Sequence, residues 1–94
     1  MEKKEGVIAT YTHNNGRIGA MIEINTQTDF AAKTELFQNL AHDLAMQVAA
    51  MGGEDLDKQV FIKNPEVTVG DHIAEVRKEL GEEVTVGRVV RHVL

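Results

Sequence analysis

Four histidines, His13, His42, His72 and His92, are the first place to look for acid–base or metal chemistry. None stands at a metal-ligand spacing from another histidine or from a suitable carboxylate cluster. His42 adjoins Asp43, but helix neighbours point about 100° apart and do not share a site. Solvated or edge-exposed imidazoles are the expected reading. Glu82 and Glu83 are adjacent carboxylates in a stretch that reads as strand. On a strand they face opposite ways and cannot pair for acid–base work. Serine and cysteine are both absent, which removes the commonest covalent nucleophiles, any disulfide framework and any thiolate metal site. No phosphate-binding P-loop, GxGxxG or GxSxG pattern occurs. These residues point away from an enzyme: no catalytic residue, no metal and no cofactor is expected.

One segment stands out. Thr28-Asp29-Phe30-Ala31-Ala32 falls in a connection between a strand and a helix, where functional residues often sit on a rigid scaffold. Two readings are open. In the first, which the pattern alone favours, a capping Asp precedes a staple-like Phe that packs down on the sheet. In the second, Phe30 is exposed and offered to a partner, since aromatic anchors carry much of the energy of interfaces.

The elements that position this segment follow from periodicity. Gly6 to Thr12 alternates as a strand, and Ile18, Ala20, Ile22 and Ile24 place one apolar face on a return strand from Arg17 to Asn25. Between them Asn15-Gly16 is a strong hairpin signal, both residues tolerating the positive φ of a type I′ turn. Thr28 or Asp29 would cap a short turn beginning at Phe30. A long helix runs from about Thr34 to Met51, with Phe37, Leu40, Ala41, Leu44, Ala45, Val48 and Ala49 on one face, ended by Gly52-Gly53. Residues 54–66 read as an extended segment lying on the core. A second helix spans Thr68 to Leu80, with Thr68 and Asp71 as a capping box, a stripe of Ile73, Val76 and Leu80, and Gly81 as its stop. Glu82 to Leu94 is a third strand with a bulge at Gly87. The expected fold is α+β: a three-stranded antiparallel sheet, made of a hairpin plus the C-terminal strand, with helices on one face.

Length and charge bound the rest. The 94 residues suffice for one domain. Hydrophobic residues at 43% and charged residues at 27% are a globular balance. A domain this small has a thin stability margin that dimerisation would widen. The formal net charge of −5 opposes direct nucleic-acid binding, which rests on phosphate neutralisation by Lys and Arg. The local cluster Arg88-Val89-Val90-Arg91-His92 reads as the solvent side of a strand rather than a phosphate patch. No apolar run approaches the ~20 residues that span a membrane. Met1-Glu2-Lys3-Lys4-Glu5 is charged with no apolar run after it, so no signal peptide is expected.

The run Glu23-Ile24-Asn25-Thr26-Gln27-Thr28-Asp29-Phe30-Ala31-Ala32 resembles the signature of the elongation factor Ts family, E-x-N-C-x-T-D-F-V-A, departing from it at Thr26 and Ala31. The likeness continues through Phe37-Gln38 and Asp43 to Ala50. It includes Phe61-Ile62-Lys63-Asn64-Pro65, similar to the family's P-F-I-K-D-P, and ends at Gly81-Glu82-Glu83-Val84-Thr85-Val86-Gly87-Arg88-Val89, near its G-E-N-I-x-x-R-R. Gln47 stands where family members often carry His, Val60 replaces a proline, and Gly87 falls where Arg is usual.

The resemblance implies one core, or dimerisation, domain over residues 1–94, without the family's N-terminal helical domain, its coiled-coil excursion or a second core copy. It implies a bacterial cytoplasmic translation factor, with no membrane and no direct nucleic-acid contact. The implied partner is elongation factor Tu, GDP-bound and nucleotide-free, with a homodimer possible. The implied mechanism is guanine-nucleotide exchange. Phe30 would wedge between two helices of the G domain, Asp29 would orient the bend through a cap and meet a polar group, and Thr28 and Ala31 would frame the turn. Mg²⁺ would be dislocated from elongation factor Tu and GDP released. Self-association is expected on the exposed side of Val84 to Val93. The alternative is an isolated dimerisation or interaction domain without exchange activity of its own.

Overall fold

The computed structural model describes residues 5–13 and 15–94. Strand β1 (Glu5–Thr12) leads through a hairpin to β2 (Ile18–Thr26), followed by a single helical turn α1 (Asp29–Ala32) and the long helix α2 (Glu35–Met51). A 3-10 turn (Leu56–Lys58) precedes α3 (Val69–Leu80), and β3 (Thr85–Val93) closes the chain. The sheet order is β1-β2-β3 with both pairings antiparallel, so β2 is central although β3 arrives last in sequence. The α+β sandwich expected from the sequence is the fold observed.

The hairpin differs from a two-residue type I′ turn. Thr12 pairs with Gly19, His13 N–H donates to Ile18 O at 2.9 Å, and Gly16 N–H closes on His13 O at 2.8 Å. Gly16 takes a φ of 72°, the left-handed region that a Cβ disfavours. The loop is therefore wider than Asn15-Gly16 alone. Asn14 lies outside the described residues.

The core lies between one sheet face and the helices. Ile22 and Ile24 of β2 meet Phe37, Leu40, Leu44 and Val48 of α2, all essentially inaccessible to water. The seven apolar positions assigned to the α2 face are all buried. Thr34 caps this helix, its hydroxyl accepting from Phe37 N–H at 3.1 Å. The α3 capping box also forms, Thr68 and Asp71 satisfying each other's backbone N–H groups. Gly81 ends α3 with φ 75°.

Residues 54–66 are not extended. They form the 3-10 turn, one bridge from Val60 to Thr68, and a turn in which Asn64 N–H donates to Phe61 O at 3.0 Å. Phe61 is buried and stacks on His72, with ring centroids 4.4 Å apart. Gln47 of α2 holds this irregular segment in place. Its amide donates to Gln59 Oε1 and to Val60 O, both at 2.9 Å, and accepts from Ile62 N–H at 3.0 Å. A backbone with few ladder bonds needs such side-chain partners when it lies on a core.

The bulge falls where the sequence placed it. Ile22 pairs with Val89 and Ile24 with Val86, so Gly87 and Arg88 together oppose Glu23. A Cβ on Gly87 would stand 2.7 Å from Glu23 Cδ and 2.9 Å from Asn25 Nδ2, which is why glycine fits here. Arg88 pairs with Glu23 at 3.2 Å, while Arg91 donates to Ala49 O at 3.0 Å near the end of α2. Arg88 and Arg91 thus bond to different partners, one on the sheet and one on α2. β3 begins at Thr85, so Glu82 and Glu83 belong to the connection before it and not to opposite strand faces.

Candidate partner-binding site

The β2–α1 bend is one end of the sheet made rigid by a distant carboxylate. Thr28 caps α1: its hydroxyl oxygen accepts from Ala31 N–H at 3.1 Å. Asp29 is the first helical residue and not the cap. Its carboxylate is exposed and pairs with Lys33 Nζ at 2.9 Å, and that hydrogen bond raises the Lys33 amine above its ordinary value. The pair is solvent-screened and adds little rigidity.

Phe30 is 84% exposed. The packed reading favoured by pattern alone is therefore overturned: the ring stands in solvent and projects from the tip. The reason is phase. A four-residue helix has one inward side, and Ala31 and Ala32, each 3% exposed, occupy it. Ala31 turns toward its own chain, where its carbonyl accepts the Thr34 hydroxyl at 2.8 Å. Of the four residues singled out, Thr28, Asp29 and Phe30 reach the surface, and Ala31 supports them from beneath.

Sequence reasoning missed Glu82 as part of this site. Its Oε1 accepts from Gln27 N–H at 3.2 Å and Thr28 N–H at 3.1 Å, and from the Thr26 hydroxyl at 3.1 Å. Its Oε2 accepts from the Thr28 hydroxyl at 2.6 Å. The two connections are tied again by Glu83 N–H to Gln27 Oε1 at 3.0 Å, and the single Thr26 hydroxyl proton is shared between Glu82 Oε1 and the nearer Glu83 O at 2.8 Å. An acidic pair directly after the Gly81 stop was the available signal, but its target lies more than fifty residues away.

These donors hold the Glu82 carboxyl below its ordinary value of about 4.5, the Thr28 hydroxyl contributing most. A carboxyl whose native pKa is depressed stabilises the fold above its unfolded value, and the contribution is lost as pH falls through the native value. The stability difference between the native chain and Glu82→Gln should be full at pH 7. It should shrink as pH drops below about 4.5, which urea midpoints from pH 7 to 3 would record. A difference independent of pH would mean that the charge on Glu82 is irrelevant to the fold.

Among the described residues no group of three or more His, Asp or Glu is placed to hold a metal, and no helix is long and apolar enough to cross a membrane. His42 sits edge-on to Tyr11, the centroids 6.2 Å apart. Gln47 is fully buried, so that helix position serves the chain's own interior and is out of a partner's reach. The outer face of the sheet carries Ile8, Met21 and Val90 exposed, with no helix over them, whereas Val84 is buried.

The family model described as Elongation factor TS matches residues 1–57 and again residues 27–93. The elongation factor Ts of Maridesulfovibrio salexigens is 43% identical over 94 aligned positions, covering 94% of this chain and 46% of that protein. That of Moorella thermoacetica is 42% identical over 91, covering 90% and 45%. The Thermotoga neapolitana protein reaches 48% over 69, covering 68% and 35%. The chain thus spans about half the length, or less, of these curated relatives. With the family model matching across nearly every residue and the T-D-F tip exposed where the signature places it, this chain belongs to the elongation factor Ts family.

Proposed function

We propose that this chain is the exchange-promoting core of a bacterial translation elongation factor, and that its Phe30 tip acts on the G domain of elongation factor Tu. The observation that carries the reading is the exposed Phe30 ring on a bend anchored by Glu82. An aromatic fixed in position loses little entropy on insertion, so more of its burial energy appears as binding. Pressed between two helices of the GTPase, it would displace the backbone that holds GDP and Mg²⁺. Mg²⁺ demands near-ideal octahedral geometry, so a small shift weakens it strongly. The chain does no covalent chemistry. It binds the nucleotide-free state better than the GDP state, and GDP must weaken its binding by the same ratio. Asp29, exposed at the start of α1, would meet a polar group beside the wedge.

A second reading, a dimerisation module without exchange activity of its own, is supported by the uncovered sheet face of Ile8, Met21 and Val90. Release of a fluorescent GDP from elongation factor Tu, titrated with this chain, separates the two. Faster, saturable release is expected. No acceleration from a chain that sediments as a dimer would favour the second reading and sink the first.

A further inference from the structure

We propose that Glu82 is a positioning residue for exchange, holding the Phe30 tip in its working orientation from the far end of the chain. This rests on the reading of Phe30 as the element that meets the GTPase. The argument begins with α1, which is one helical turn of four residues. A single turn cannot sustain itself, because nucleation fixes several dihedrals for one hydrogen bond. Its orientation therefore depends on what holds its two ends, and the start carries Phe30's neighbours Thr28 and Asp29.

That start is Thr28, and Glu82 determines how Thr28 stands. The hydroxyl has one proton, and it goes to Glu82 Oε2 at 2.6 Å. The oxygen lone pairs are thereby left to accept Ala31 N–H at 3.1 Å, which is the cap itself. The same carboxylate gathers the N–H groups of Gln27 and Thr28, so two successive backbone groups leading into the turn are aimed at one point. Hydrogen bonds to a charged acceptor are stronger than neutral ones. The Asp29–Lys33 pair lies within α1 and its C-cap and cannot orient the turn relative to the sheet. At the start of the turn the links that do so come from the α3–β3 connection, through Glu82 and its neighbour Glu83; at its end Gln38 of α2 donates to Ala32 O at 2.8 Å.

The test compares Glu82→Ala and Glu82→Gln with the native chain, each alone and combined with Phe30→Ala. Glu82→Ala should lower the second-order rate of GDP release from elongation factor Tu about tenfold or more. Glu82→Gln, which keeps an oxygen for the two N–H groups, should fall between. Adding Glu82→Ala to Phe30→Ala should cost far less than it does alone, because a misaimed tip without its ring has nothing more to lose. Amide hydrogen exchange on the free chain should quicken at Gln27, Thr28 and Ala31 and stay unchanged at Leu44 in α2. Fully additive losses, or faster exchange of amides throughout the chain, would show Glu82 to be a general stabiliser and overturn the proposal. So would native protection at Gln27 and Thr28 in Glu82→Ala. Should the native chain not accelerate GDP release, the reading of Phe30 fails, and the role of Glu82 in exchange fails with it. The amide data would then separately tell whether the clamp exists.

Discussion

Replacing Phe30 with alanine is expected to abolish most of the interaction with elongation factor Tu while leaving the fold almost untouched. The two halves of this expectation come from the same observation. At 84% exposure the ring contributes little to the native core, so the unfolding free energy should move by no more than ~0.5 kcal/mol, as for surface sites without special roles. On the partner the ring would be buried. Truncating an aromatic hot spot costs about 2 kcal/mol or more, roughly thirtyfold in affinity. Urea unfolding and GDP-release titration of the same preparation read both quantities. Unchanged exchange and affinity would show that Phe30 is not the wedge. A large loss of stability would show that the ring packs on its own chain.

The largest expected effect on stability comes from Gln47→Leu. Leucine has a similar size and suits a helix, and a reading from the apolar face of α2 would accept it. The structure argues otherwise, because Gln47 is fully buried and its amide satisfies Gln59 Oε1, Val60 O and Ile62 N–H. Each buried polar group left without a partner costs about 1–3 kcal/mol. Gln59 is half-buried and Val60 and Ile62 are exposed, so water reaches part of this set and the loss is put at about 1–3 kcal/mol, against a total of ~5–14 kcal/mol for a domain of this length. The variant should unfold at a clearly lower urea midpoint, with early loss of protection at Ile62. Because the residue lies away from the Phe30 tip, exchange activity per folded molecule should survive. A loss below 1 kcal/mol would mean that water takes over the three partners.

Gln47 also marks a limit of sequence reading. The α2 apolar stripe is legible because a 3.6-residue period survives any context. A glutamine within it looks like solvent face, and only the irregular backbone of residues 59–62, folded over that spot, makes it interior. Residues 54–66 read as extended in sequence for the same reason: their hydrogen bonds are to side chains and turns, which leave no period behind.

The sequence by itself determined the hairpin, the two long helices with their glycine stops and the capping box of the second, the bulge at Gly87 and the family, since each rests on local spacing or an ordered motif. It also drew attention to Thr28, Asp29 and Phe30. What only the tertiary structure decided is how those residues stand. Phe30 faces outward because Ala31 and Ala32 take the inward side of a single helical turn. Thr28, not Asp29, is the cap because its hydroxyl is held by Glu82. Glu82 and Thr28 meet because β3 pairs with β2, bringing the connection before β3 alongside the bend that follows β2. A contact made by closing a loop of that length has no signature in the neighbouring residues; it exists only once the sheet has formed.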